Sequence, residues 1–182
     1  MSEPPEQPRP DIVNEHATRA EFTKIASARI PTELTVDKGD RTGQTFIVDA
    51  VPKGPTTFEY RGIVGKKLIA SMEMRLPIGG FATVTSAKVA KDFRRSGVAT
   101  KIYREINADL AQVGAKLEPH WGSMTPGAVR FWQDFGSDDA EMQARLAPIL
   151  EEMKERGEIE AYDSEGDDWN GETIRKPRKP RA

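Results

Sequence analysis

In the stretch FRRSGVATKIY, Arg94, Arg95, Ser96, Gly97 and Ala99 stand just where an apolar repeat begins. That repeat, Val98, Ile102, Ile106 and Leu110, marks one face of a helix, and Gly114 follows as its stop. The first amides of a helix have no intrahelical acceptor and lie at the positive end of its dipole, so this arrangement suits an anion. Gly97 permits unusual backbone angles or close approach, Ala99 keeps the first turn uncrowded, and the two arginines add positive charge. The chemistry expected is phosphate or pyrophosphate binding. No GxxxxGK[ST] and no GxGxxG occurs here, so neither a Walker loop nor a dinucleotide fingerprint is present. The pattern that remains is RxxGxA.

Groups able to move protons are few. Of the two histidines, His16 and His120, the second closes the run AKLEPHW. By intrinsic pKa it is the best-suited base of the chain near neutral pH. Glu73, in the alternating ASMEMRL, is a second candidate, with a solvated strand glutamate as its plainer role. The histidines are too far apart for a local metal motif, the chain has no cysteine, and Asp163, Asp167 and Asp168 lack a complete calcium-loop spacing. No metal is expected.

These groups need a scaffold, and 182 residues with ordinary apolar content suffice for one domain with a core. A net charge of −2 and a pI near 5.8 argue against a molecule built to coat nucleic acid or an anionic membrane. The sequence has no signal-peptide pattern and no apolar run that approaches a membrane span, which predicts a cytoplasmic protein. Residues 1–10, rich in proline and glutamate, read as a flexible leader. A helix is expected from Asp11 to about Arg29. Next come the β-type runs ELTVD, TFIVDAV, TFEYRGIV, KKLIASMEMRL and FATVTSAKV, which read as an antiparallel meander. In the last run Phe81, Val84 and Val89 keep no single period, which fits a bulge or bend. After the helix from Val98 and the strand in AKLEPHW, Thr125 and Pro126 make a cap and first-turn pair for a helix through Phe135, stopped by Gly136. Met142, Leu146, Ile149, Leu150 and Met153 mark a further helix that Pro148 should kink or split. A terminal hairpin through Ile159 to Tyr162 and Glu172 to Arg175 would complete the domain, and RKPRKPRA reads as an extended basic tail.

The run VAKDFRRSGVATKIY resembles the strand, loop and helix signature of the GNAT acyltransferase superfamily, V.PE.R..G.G or a close variant. Val89, Asp92, Arg94, Gly97 and Ala99 occupy matching positions, and Lys91 replaces the frequent proline. AVRFWQDFG resembles the family's second conserved helix, with Gly136 matching its glycine. The resemblance covers roughly residues 57 to 136 and extends to element order. It implies an α/β (α+β) fold with a mixed, mainly antiparallel central sheet flanked by helices. In chain order these would be a leader (1–10), a GNAT-like domain with an N-terminal helix (11–137), a helical extension with the hairpin (138–170) and a basic tail (171–182).

What the resemblance implies for function is an N-acetyltransferase using acetyl-CoA, with direct attack by an amine in a ternary complex. Val89 would offer backbone to pantetheine, and Arg94, Arg95, Ser96, Gly97, Val98, Ala99 and Thr100 would cradle the pyrophosphate. Thr125 stands about where relatives carry a cofactor-contacting asparagine, with a helix cap as its other role. His120 would end the strand whose loop faces the acceptor. Two departures concern proton transfer: Trp132 stands where a tyrosine acid is common, and FATVTSAKV carries no carboxylate where some relatives hold a glutamate base. They motivate an alternative, a catalytically weak acyl-CoA-binding or interaction module. A lesser alternative is a nucleic-acid-associated modifier using the basic residues 175–182. The acceptor amine is of unassigned class, no membrane partner is expected, and a homodimer is compatible with the reading.

Overall fold

The structure, a computed structural model, describes residues 10–165 and 169–174. Its sheet follows from alternation. In Thr45–Gly54 (β2) Phe46 and Val48 are buried while Thr45 and Ile47 are exposed. Across Thr57–Val64 (β3) the inner face is carried by Phe58, Tyr60 and Gly62, and across Lys67–Ile78 (β4) by Ala70, Met72 and Met74. Thr32–Thr35 (β1) lies on the outer side of β2, and Phe81–Val89 (β5) beyond β4; all four of these pairings are antiparallel. The meander expected from sequence is thus present, and the runs TFEYRGIV and FATVTSAKV coincide with β3 and β5.

Two helices cover the inner face. Pro10–Ser27 (α1) sets Phe22 edge-on against Phe58, with ring centroids 5.9 Å apart. Val98–Ala111 (α2) buries Val98, Ile102, Ile106 and Leu110, the stripe its spacing predicts. Gly62 lets α2 approach closely, since a Cβ there would lie 3.2 Å from Ile102 Cδ1 and 3.1 Å from Ala70 Cβ. Burial of Ile102, Ile106 and Leu110 against Tyr60, Met72 and Ile69 makes the centre of the core.

Two irregularities shape β5. The pairing passes from Glu73↔Ser86 to Met74↔Val84, leaving Thr85 as an extra residue, the bulge that the broken period predicts. Lys116–Glu118 (β6) then pairs in parallel with Phe81, Ala82 and Thr83 only. Val84 to Val89 run on without β6, so the sheet opens beyond Thr83 and Glu118.

Thr125 caps Pro126–Phe135 (α3), accepting from the Ala128 amide at 3.2 Å. Asp139 caps Ala140–Glu155 (α4) in the same way through Met142 N–H, and the helix runs unbroken past Pro148 rather than splitting. The expected terminal hairpin does not form. Residues 158–165 are a helix, Glu158–Glu165 (α5), because Ile159 is buried with Val129 of α3 and Met153 of α4, and acidic residues favour its first turn. Glu172–Thr173 (β7) instead pairs with Lys67 and Leu68 of β4, taking the edge left free where β5 ends. The leader and the basic tail fall, but for Pro10 and residues 171–174, outside the described residues. Among the described residues no helix is long and apolar enough to cross a membrane.

Candidate anion-binding site at the start of α2

Between β5 and α2 the chain makes a single 3-10 turn, Lys91–Phe93, and two left-handed steps, Arg95 at φ 55° and Gly97 at φ 87°. The glycine takes this conformation freely, whereas for the arginine it costs about 1–2 kcal/mol. The effect is to turn the chain abruptly into the helix. Gly97, the residue before the first turn, provides no side-chain cap, and the first helical bond runs from Lys101 N–H to Gly97 O at 3.1 Å. The amides of Val98, Ala99 and Thr100 therefore have no acceptor among the described residues. Open amides at the positive end of a helix are the physical requirement for holding an anion.

The other loop residues take separate roles. Ser96 is buried and its hydroxyl donates to Phe93 O. Arg94 turns inward, its Nε donating to Val89 O at 3.0 Å and its Nη2 to Trp169 O at 3.5 Å. The Val89 carbonyl thus keeps one lone pair for any further donor. Arg95 is exposed, with no ion pair among the described residues, and is the loop cation left for a ligand. Thr125 is exposed but already engaged as the α3 cap.

Two distant segments brace the loop. Trp169 O accepts from Lys91 N–H at 3.0 Å, and Asn170 Oδ1 from Asp92 N–H at 3.4 Å. On the other side lies the β1–β2 connection. Arg41 pairs with Asp92 at 3.2 Å and sits 5.6 Å from the Phe93 ring centroid, and Asp37 Oδ1 lies 2.8 Å from Lys101 Nζ. Hydrogen bonds from Arg41 and Asn170 hold the Asp92 carboxyl below its ordinary range.

Tyr103 follows Ala99 by four residues on the same helix face, so its side chain leans back toward the open turn. Its ring is 5 % exposed and packs against Phe131, Trp132 and Phe135 of α3, with centroids 4.1 to 5.8 Å away. Burial pushes its phenol well above the usual tyrosine range. Trp132 is buried in the same aromatic group. Gly136 ends α3, and a Cβ there would meet Met142 Sδ and, at 3.0 Å, the Trp132 carbonyl oxygen.

The proton-transfer candidates are not assembled into one hydrogen-bonded unit. His120 lies two residues past β6, at the mouth of the opening, half-buried, with its carbonyl accepting from Ser123 N–H. Glu73 is half-buried on the outer face of the sheet and pairs across it with Ser86, just beyond the bulge. Opposite Glu73 on β3 stands Glu59, 7 % exposed, which accepts from Ser71 Oγ at 2.6 Å and lies 3.9 Å from Lys53 Nζ. The phase of Phe58 and Tyr60 places Glu59 on the outer face, but nothing local in the sequence signals its burial. Asp37, Trp169 and Asn170 are likewise missed, because only tertiary folding brings them to the loop. Among the described residues no group of histidines and carboxylates is placed to hold a metal ion.

A buried polar cluster lies toward the far end of α2. Asp109 Oδ2 accepts from Arg29 Nη1 and from the Tyr60 hydroxyl, each at 2.7 Å, and Arg29 also pairs with Glu105. Burial opposes the charge on Arg29, but the hydrogen bonds it donates to Glu105 and Asp109, with the attraction of both carboxylates, outweigh it and raise its pKa. Burial, reinforced by the bond to Asp109, drives the Tyr60 phenol far above its ordinary value. Comparison with protein-family models, curated proteins and solved structures finds no match to this chain.

Proposed function

We propose that the protein is an N-acetyltransferase of the GNAT type that transfers acetyl from acetyl-CoA directly to an amine. The observation that carries this reading is the conjunction at β5: open amides of Val98, Ala99 and Thr100 at one end, and beside them a sheet that loses its β6 pairing past Thr83. An anionic group and an extended arm are the parts of coenzyme A that such a site would take. Gly97 and the amides after it, with Arg95, would hold the pyrophosphate, and Val89 would face the arm with its remaining carbonyl lone pair. The acetyl group is supplied as a thioester. The amine nitrogen attacks its carbonyl carbon, the C–S bond breaks, the thiolate gains a proton, and the nitrogen loses one. Holding both reactants supplies much of the rate.

His120 and Glu73 are the residues we assign to receive the amine proton, directly or through water. Trp132 is committed to the aromatic core and its indole cannot protonate a thiolate. That observation favours a second reading, a catalytically weak acyl-CoA-binding module. Incubation of the protein with acetyl-CoA and a panel of amines, covering diamines, aminoglycosides, peptide N-termini, lysine peptides and nucleobases, separates the two. Thiol release together with an acetyl mass increment on an acceptor is expected. Binding of acetyl-CoA with no turnover on any amine would select the second reading.

A further inference from the structure

The turn that carries His120 has few attachments of its own. His120 O accepts from Ser123 N–H at 3.0 Å, closing a tight turn in which Gly122 and Ser123 are exposed. The imidazole is half-buried and makes no hydrogen bond among the described residues, so no third group orients it as catalytic bases usually are oriented. What ties the turn down is Trp121. Its indole packs against the main core, and the Arg145 guanidinium of α4 lies 4.1 Å from the ring centroid. The other cation and ring contacts among the described residues are longer, at 5.4 to 5.7 Å. Arg145 forms no ion pair among the described residues, so the indole is what its head group meets. The helix that delivers it is itself fixed on α3. Leu146 is buried, and Gln143 Nε2 donates to Gly136 O at 2.8 Å and to Trp132 O at 3.3 Å.

We infer that Arg145 is a positioning residue: from a fixed helix it clamps Trp121, and through Trp121 the backbone turn that presents His120 at the mouth of the opening. This rests on the proposed role of His120 in receiving the amine proton. A general base works only within hydrogen-bonding reach of that proton, so an imidazole without an orienting partner depends on its backbone for position. A guanidinium stacked on an indole is held by its charge as well as by its flat shape, and a neutral chain of similar length loses the first. The clamp also gives α4 a task. This helix follows the stretch that resembles acyltransferases, and through Arg145 it holds a loop of the site in place.

Wild type, Arg145→Met and Arg145→Lys are compared, with Trp121→Phe and His120→Gln identifying the tryptophan emission and the imidazole proton resonance that belong to those residues. Arg145 is exposed, so its replacement leaves the core intact. In Arg145→Met, acrylamide quenching of the Trp121 emission is expected to rise and the His120 resonance to move. With acetyl-CoA and an amine that the acceptor panel identifies, kcat is expected to fall about twofold to fivefold while KM for acetyl-CoA stays unchanged. Arg145→Lys, which keeps a cation for the indole, should recover most of that loss. Unchanged Trp121 emission and His120 resonance in Arg145→Met, or an unchanged kcat, overturns the inference and leaves the acetyltransferase reading intact. If wild type transfers acetyl to no amine of the panel, His120 has no amine proton to receive and both fall together.

Discussion

At one end of α2, Asp109 is surrounded by Arg29 and Tyr60, both within hydrogen-bonding distance, and excluded from water. At the other end, the amides of Val98, Ala99 and Thr100 stand without acceptors next to a left-handed glycine. One helix thus carries a closed polar site and an open one. The closed site is supplied by the chain except at Arg29 Nε, which is buried without a partner among the described residues. A site built this way fixes the docking of α1, α2 and β3 and has no capacity for a ligand. The open site is braced from two sides yet leaves its donors free, which is what a binding site requires and a purely structural turn does not.

The largest effect is expected at Asp109. Asp109→Ala leaves a buried guanidinium with Glu105 as its remaining carboxylate and strips the Tyr60 hydroxyl of its acceptor, and should cost about 3–5 kcal/mol in denaturant unfolding. Acetyl-CoA affinity of the molecules still folded should stay unchanged; a small stability loss, or a loss of affinity in folded protein, would mean that the two ends are not separate. Gly171→Ala acts on the brace of the open end. Its Cβ would lie 2.5 Å from Leu68 O, on a backbone at φ 93°, so the substitution should cost about 1–3 kcal/mol and weaken acetyl-CoA binding by freeing the Trp169 contact to the loop. Destabilisation without any effect on binding would show that the brace is dispensable.

The gentlest test uses alkali. Tyr60 and Tyr103 have raised values in the folded protein, so the stability they contribute is complete below the ordinary tyrosine pKa of about 10 and is lost as pH climbs from there toward their folded values. Near-ultraviolet titration should show both phenols ionising only together with loss of near-ultraviolet circular dichroism. Ionisation of either one in folded protein would contradict the packing described here.

The open end was legible because every part of it is local: Arg94 to Ala99 and the stripe from Val98 to Leu110 lie in one continuous run. The bulge at Thr85 was legible for the same reason, as a break in period within a single strand. The closed end was overlooked although it left a trace, since Asp109 follows Ile106 by three residues and so falls on the apolar face of α2, where an acid demands a buried partner. Its partners, Arg29 and Tyr60, come from other elements and carry no local mark. Glu158 to Tyr162 misled because acidic texture says little about backbone, and the burial of Ile159 that fixes α5 depends on α3 and α4. Asp37 could not be read at all, as only the folding of the sheet brings the β1–β2 loop to α2.

Calorimetric titration of acetyl-CoA into wild type and Gly97→Glu tests whether the start of α2 binds the phosphates of acetyl-CoA. The new side chain would be forced into a left-handed backbone beside Asp37 and would place a second carboxylate at the seat. Micromolar binding by wild type that weakens about a hundredfold or more in a variant with native circular dichroism is the predicted result. Equal binding by both proteins, or none by wild type at two temperatures, would contradict it.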